Sequence, residues 1–270
     1  MLRKALERVS RALAAAPSEA APSAPVDEPV ASETSAPAPV RAGLDLKGPY
    51  VQHVHNLQRT MEHDDALEEA VGGDFNYVGS IMSALVQHYG LPQGGYLVDV
   101  GCGSGRLAKP LARYLRGRYL GFDLVPELVE HAKRIVDRPE WRFEVIDHIE
   151  IPEGEGVADM VCFFSVLTHL LHEQGYWYLE EAKRVLRPGG RILFSFLEFT
   201  EPGHWRVFAD TLEGTKQRFT FPLNVFIDRD ALPIWAEHLG MELVEIRGAA
   251  EDVVPGGNLG QAICVLQKPA

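Results

Sequence analysis

Between Leu91 and Phe196 short apolar runs alternate with helical patterns, and this rhythm restricts the fold more than any other feature of the chain. Tyr96–Val100, Tyr119–Phe122, Trp141–Ile146, Ala158–Phe164 and Arg191–Phe196 read as buried strands. Arg106–Leu115, Pro126–Val136 and Glu173–Leu186 read as the helices between them, with Pro126 in a first turn and Pro188-Gly189-Gly190 as a helix stop. Uninterrupted apolar strands separated by helices predict a parallel sheet covered on both faces, a doubly wound α/β architecture. The pattern resumes with an Asp230–Leu239 helix, a Met241–Ile246 strand and, after Gly256-Gly257, an Ile263–Gln267 strand. Before Leu91, apolar residues from Leu57 to Tyr89 predict one or two helices broken at Gly72-Gly73.

Composition divides the rest. Residues 1–15 carry Leu2, Leu6, Val9 and Leu13 at helical spacing among basic residues, a short tail or a weak membrane-surface or partner-docking helix. Residues 16–43 are rich in Ala, Pro and Ser without an aromatic side chain, a composition that predicts a disordered linker. The globular domain is expected over residues 44–270. A formal charge of −12 disfavours nucleic acid as a partner. Cys102, Cys162 and Cys264 lack metal-ligand spacing, no acid/His cluster demands a metal, and no run is long enough to span a bilayer. The expected location is cytoplasmic, with peripheral membrane contact through the basic helix as an option.

The informative stretch is Val98-Asp99-Val100-Gly101-Cys102-Gly103-Ser104-Gly105-Arg106, between the first strand and a helix. Ligands bind at that position in open α/β sheets, and a helix N-terminus there offers free amides to an anion. A dinucleotide-binding loop would carry its third glycine at position 106, which here is Arg106. Asp123 ends the next strand, where a carboxylate can accept from both ribose hydroxyls; nicotinamide enzymes share this acid. Asp147-His148 follows the third strand.

Glycines at 101, 103 and 105, with Asp99 two residues ahead, resemble motif I of the class I, Rossmann-like, S-adenosylmethionine-dependent methyltransferases. The fourth-strand region Ala158–Leu170 and the segment Leu179–Gly190 extend the likeness in the same order. The resemblance implies a seven-stranded sheet, mostly parallel with an antiparallel last strand, and S-adenosyl-L-methionine as cofactor. It implies that Gly101, Cys102 and Gly103 wrap the methionine part, that Asp99 supports the loop and the ammonium end, and that Asp123 with Leu124 holds the ribose. Asp147 and the backbone of His148 would meet adenine, and Ser165 completes the set. Arg106 is read either as a partner for the cofactor carboxylate or as a surface arginine. The Gly-Cys-Gly-Ser-Gly-Arg loop, Ser165–Leu170 and Asn258-Leu259-Gly260-Gln261 are further similar to methyltransferases associated with glycosyltransferases.

A hydroxyl acceptor needs a base, and His169, just past the fourth strand, is the candidate catalytic residue; His172 is its less favoured neighbour, and helix packing is the competing reading for His169. Glu198, Glu201, His204, Trp205 and Arg206 suit a polar, sugar-like acceptor, and residues 208–226 are read as a substrate lid or a solvated insertion. His53, His55, His63 and His88 read as helix or surface histidines. The expected activity is O-methylation of a saccharide or a small polar metabolite. The competing readings are a non-catalytic cofactor-binding module in a glycan-assembly complex, an N- or C-methyltransferase, and a nicotinamide oxidoreductase.

Overall fold

The computed structural model describes residues 48–217, 222–255 and 257–270. The tail helix and linker expected over residues 1–43 lie outside the described residues.

Among the described residues three helices, not one or two, precede the first strand: α1 (Gly48–Thr60), α2 (His63–Glu69) and α3 (Phe75–His88). Gly72 and Gly73 both turn the chain at positive φ, and Asp74 then caps α3 by accepting from the Tyr77 amide at 2.8 Å. The sheet follows: β1 (Tyr96–Val100), α4 (Ala108–Leu111), β2 (Arg118–Asp123), α5 (Pro126–Val136), β3 (Arg142–Val145) and β4 (Ala158–Phe163). A short 3-10 turn, Leu167–His169, leads into α6 (His172–Val185), β5 (Leu186–Phe196), α7 (Pro202–Lys216), α8 (Ala231–Leu239), β6 (Glu242–Arg247) and β7 (Ala262–Gln267).

The seven strands lie in the order β3-β2-β1-β4-β5-β7-β6. β1 to β5 pair in parallel, while β7 runs antiparallel to both β5 and β6. This is the expected sheet. β1 lies inside the sheet between β2 and β4, with Val100 opposite Phe122 on one side and Phe163 on the other. Chain order reverses between β1 and β4, which opens a crevice beyond the strand ends.

Alternation along the strands builds a core on each face. Leu97, Tyr119, Met160, Leu193 and Val265 meet α3, α4 and α5 on one side. Val98, Val100, Leu120, Phe122, Val161 and Phe194 meet α6 and α8 on the other. Each fully buried aliphatic or aromatic side chain contributes about 1.5–3 kcal/mol. A third cluster matters for position: Val54 and Leu57 of α1 and Leu67 of α2 pack on Val125 and Leu128 at the start of α5, which fixes the N-terminal helices near the crevice.

Two sequence expectations change. The helix expected over Arg106–Leu115 is regular only from Ala108 to Leu111. Gly105 has φ of 87°, and Pro110 has no N–H to bond the Arg106 carbonyl, so the helix cannot start earlier. Pro188-Gly189-Gly190 does not stop α6, which already ends at Val185 where Leu186 turns extended; the tripeptide lies inside β5. Gly189 at φ 75° takes up the irregularity there, and the pairing of β4 with β5 shifts register between Ala158 and Met160. Among the described residues no helix is long and apolar enough to cross a membrane.

Candidate active site

The ends of β1, β2 and β4 open into a cavity of about 370 Å3. Every residue expected from sequence at the cofactor lines it, as does the candidate base: Asp99, Gly101, Cys102, Gly103, Arg106, Asp123, Leu124, Asp147, His148, Ser165 and His169.

The loop after β1 needs its glycines for space as well as for conformation. Gly101 and Gly103 have φ of 68° and 53°. A Cβ on Gly101 would lie 2.4 Å from Val166, and one on Gly103 would lie 2.5 Å from Val71. Because α4 has four residues, the anion site expected at a helix N-terminus is replaced by the tight turns of residues 103–107.

Asp123 reaches back to this loop. Its Oδ2 accepts from the Gly103 amide and its Oδ1 from the Val125 amide, both at 3.0 Å. Burial pushes its pKa up to about 6, against the pull of these backbone donors. Asp99 is also raised to about 6 by burial. Its carboxylate is occupied within the sheet, accepting from the Tyr119 hydroxyl at 2.6 Å and the Cys162 thiol at 3.4 Å. Asp99 thereby ties the end of β1 to β2 and β4, the strands on either side of it. Burial pushes the Cys102 thiol well up, which leaves it a neutral lining group rather than a nucleophile.

Arg106 is not a surface arginine; it is 7% exposed. One of its nitrogens donates to the carbonyls of Val71 and Gly72, tying the turn before α3 to the glycine loop. No carboxylate among the described residues lies within ion-pair distance of it. Burial lowers its pKa to about 10, so it stays cationic at neutral pH. A buried cation without a counter-ion is costly, and this one faces a cavity.

On the opposite wall, Asp147 and His148 are exposed, and the imidazole contacts Glu150 at 2.9 Å and Asp147 at 3.3 Å. Those two carboxylates, Glu150 first, raise the His148 pKa. Ser165 follows β4 at a φ of 61°, a strained conformation for a residue other than glycine. Its amide donates to the Ser195 hydroxyl at 2.7 Å. His169 then closes the 3-10 turn, and its Nδ1 lies 2.6 Å from the Leu223 carbonyl. A carbonyl only accepts, so Nδ1 carries the proton and Nε2 keeps a free lone pair. Burial lowers the His169 pKa, which keeps the ring neutral.

Tyr50, Gln174 and Tyr178 also line the cavity and were missed from sequence. Tyr50 stands on α1, with its ring centroid 5.9 Å from that of His169. Burial and the Asp123 carboxylate raise its pKa, so the phenol is a hydrogen-bond donor. No local pattern marks it, because α1 reaches the cavity only through its packing on α5.

The acceptor-binding expectation is corrected at three positions. Glu198 is buried and held by Arg229 in a two-pronged ion pair at 2.7 and 2.9 Å. His204 is buried between the Glu198 amide at 2.9 Å and the Gly260 carbonyl at 3.1 Å. Glu201 caps α7. Glu198 and His204 serve internal structure, because a buried charge or imidazole must find its partners within the fold, while half-buried Glu201 is engaged by the Gly203 amide. The expected lid begins as α7, and residues 218–221 of it lie outside the described residues. Trp205 is 56% exposed beside Phe199 and Phe208, and Arg206 faces Asp210. His172, the second base candidate, bonds the Phe226 carbonyl at 3.1 Å and is absent from the cavity lining.

Comparison with known proteins agrees with this geometry. Residues 98–194 match a family model described as a methyltransferase domain. A malonyl-[acyl-carrier protein] O-methyltransferase from Hahella chejuensis is 32% identical over 133 residues, 49% of this chain and 46% of that protein. A ubiquinone biosynthesis O-methyltransferase from Xanthomonas axonopodis is 26% identical over 163 residues, 58% of this chain and 66% of that protein. The chain thus spans less than two thirds of the length of either relative. In fold, it is similar to 1,6-didemethyltoxoflavin-N1-methyltransferase from Burkholderia thailandensis, solved with S-adenosylhomocysteine: TM-score 0.57, 21% identity, 92% of this chain and 95% of that one. Residues 98–194 of this chain thus match a methyltransferase domain, and they lie in a seven-stranded fold similar to that of a methyltransferase solved with S-adenosylhomocysteine.

Proposed function

We propose that the chain catalyses methyl transfer to a hydroxyl oxygen of a small polar molecule, a saccharide or a similarly hydroxylated metabolite. The observation that carries this reading is His169: a neutral imidazole, with Nδ1 fixed by the Leu223 carbonyl, lining the same cavity as the glycine loop. S-adenosylmethionine, when bound, supplies a methyl group already activated on a sulfonium. The work left to the protein is to align, to exclude water and to take a proton. Arg106 is the partner for the cofactor carboxylate, which would neutralise its buried charge. Asp123, with Leu124 beside it, accepts from the ribose hydroxyls, and Asp147 with the amide of His148 serves the adenine edge. Ser165 lines the wall between cofactor and base. The free Nε2 of His169 accepts the proton that the acceptor hydroxyl loses. Tyr50, above the ring, supplies a hydroxyl donor and an aromatic cover.

Oxygen as the target atom is supported by the two relatives, both O-methyltransferases by name. The loss of Glu198 and His204 as acceptor ligands leaves Gln174 and Tyr178 as polar groups of α6 at the cavity. The test is incubation of the purified chain with methyl-labelled S-adenosylmethionine and a panel of sugars, phenols and hydroxy acids, read by mass spectrometry. A product heavier by one methyl group, with the label on an ether oxygen, is expected. Label on nitrogen or carbon, or no transfer to any member by protein that binds the cofactor, would overturn it.

A further inference from the structure

Gln261 lies between β5 and the His169 turn, yet no step proposed above uses it. It immediately precedes β7, at the end of the Asn258-Leu259-Gly260-Gln261 stretch. Its side-chain oxygen accepts from two hydroxyls, Ser195 Oγ at 2.7 Å and Ser165 Oγ at 3.3 Å. Ser195 is 1% exposed, and its oxygen in turn accepts the Ser165 amide at 2.7 Å. Two mutually bonded groups, Ser195 Oγ and Gln261 Oε1, thus converge on one residue held at positive φ, Ser165.

That residue starts the turn that carries His169. The Ser165 carbonyl accepts from the Thr168 hydroxyl at 3.1 Å, and the Val166 carbonyl accepts from the His169 amide at 2.9 Å. The far side is held separately: Val225 donates to the Thr168 carbonyl at 2.8 Å, and His169 donates to Leu223. The start of the turn therefore depends on the Gln261–Ser195–Ser165 chain, and its end on residues 223–225. Gln261 is itself held in place. Gly260 before it has φ of 68°, donates to Asn258 Oδ1 at 3.1 Å and accepts from buried His204 at 3.1 Å. A side chain without left-handed freedom adopts that backbone only when its surroundings over-determine it, and at Ser165 the two hydroxyls and the amide do so.

We propose that Gln261 is a positioning residue for His169: through Ser195 and Ser165 it sets the turn on which the imidazole stands. The role rests on the reading of His169 as base. It explains why a buried polar chain, costly unless every member is satisfied, crosses from β5 to the loop before β7 at this point.

The test is nuclear magnetic resonance of the full chain labelled with nitrogen-15 in histidine. In the unsubstituted protein the His169 Nδ1 proton, bonded to the Leu223 carbonyl, should exchange slowly with water. Gln261→Leu, which removes the acceptor, should speed that exchange by about tenfold or more. Gln261→Glu keeps an oxygen for both hydroxyls and should restore the slow proton, which a merely space-filling role would not predict. Slow exchange retained in folded Gln261→Leu, or fast exchange in folded Gln261→Glu, overturns the proposal. Should Gln261→Leu not fold, Ser195→Ala breaks the same chain at its next link and is read in the same way. Turnover of His169→Ala is measured separately. Full activity there defeats the base reading while the exchange result still decides the position of the ring.

Discussion

Replacing Asp123 by Ala separates binding from stability, because this carboxylate is costly to the fold when ionised and, in the proposed function, valuable to the ligand. Its pKa of about 6, against 3.8 unperturbed, means that ionising it in place costs about 3 kcal/mol relative to the open chain. The sign follows from the proton balance. The folded state holds the proton more tightly, so the contribution of Asp123 to stability is fully present below pH 3.8 and lost as pH rises through about 6. Alanine relieves that cost at pH 7.5 but orphans the Gly103 and Val125 amides, at about 1–3 kcal/mol each. The two effects largely offset, and the melting temperature at pH 7.5 should move by only a few degrees. The ligand has no such compensation. Ribose hydroxyls lose a charged acceptor, worth about 1.5–3 kcal/mol, so S-adenosylhomocysteine should bind about 10- to 150-fold more weakly in calorimetric titration. The unsubstituted protein should show the same dependence on acid. Hydroxyls donate to the ionised form, so affinity falls as pH drops below about 6, by up to roughly tenfold per unit, and the variant should lose most of that slope. Equal affinity of the two proteins at pH 7.5, with the same pH dependence, would refute the assignment of Asp123 to the ribose.

Three further substitutions probe the rest of the site. His169→Ala should lower turnover by about 10²–10⁴-fold, the range for a general base, while S-adenosylhomocysteine affinity stays within about twofold; unchanged turnover would remove His169 from the chemistry. Arg106→Met should weaken S-adenosylhomocysteine by about tenfold or more, yet weaken adenosine analogues lacking the amino-acid carboxylate less, if the guanidinium pairs with that carboxylate as proposed; equal losses for both ligands would point instead to loss of its tie to the Val71 and Gly72 carbonyls and collapse of the glycine loop. Gly79→Ala should destabilise the fold by about 1–3 kcal/mol in denaturant titration, because its Cβ would come 2.3 Å from the Arg106 carbonyl. A neutral result there would mean that α3 slides freely along the loop.

The parallel sheet and the loop that lines the cavity could be read from sequence because both are local patterns. Tyr96–Val100 and Pro126–Val136 have the expected bounds, since a run of buried residues and a first-turn proline are signals carried by the segment itself. The glycine loop and Asp123 are likewise adjacent to strands whose order fixes where they go. The parts that were misread depend on distant partners. Pro188-Gly189-Gly190 looks like a helix stop until Lys268 pairs across Gly189 and Gly190, which makes it strand. Glu198 and His204 look like ligand-binding side chains until Arg229 and Gly260 are seen to satisfy them. Tyr50 carries no local mark at all, and only the packing of α1 on α5 brings it to the cavity. Arg106 was ambiguous for the same reason: a first-turn arginine is exposed by default, and here α3 and its preceding turn cover it.

The placement of β7 has a consequence for the order in which the molecule can be assembled. Among the described residues β6 is hydrogen-bonded to no strand but β7, and β7 is inserted between β5 and β6. As the chain grows, β6 is therefore made before there is anything for it to join, and the sheet can hold at most the β3-β2-β1-β4-β5 portion until Ala262–Gln267 arrives. That portion already contains the glycine loop, Asp123 and His169 itself. What it lacks is the segment that leads into the final strand, with Gln261 at its head. A half-made chain would thus have the cofactor wall in outline while its turn at Ser165 had lost a tether, so that the last strand to dock closes the sheet and braces the wall in one event.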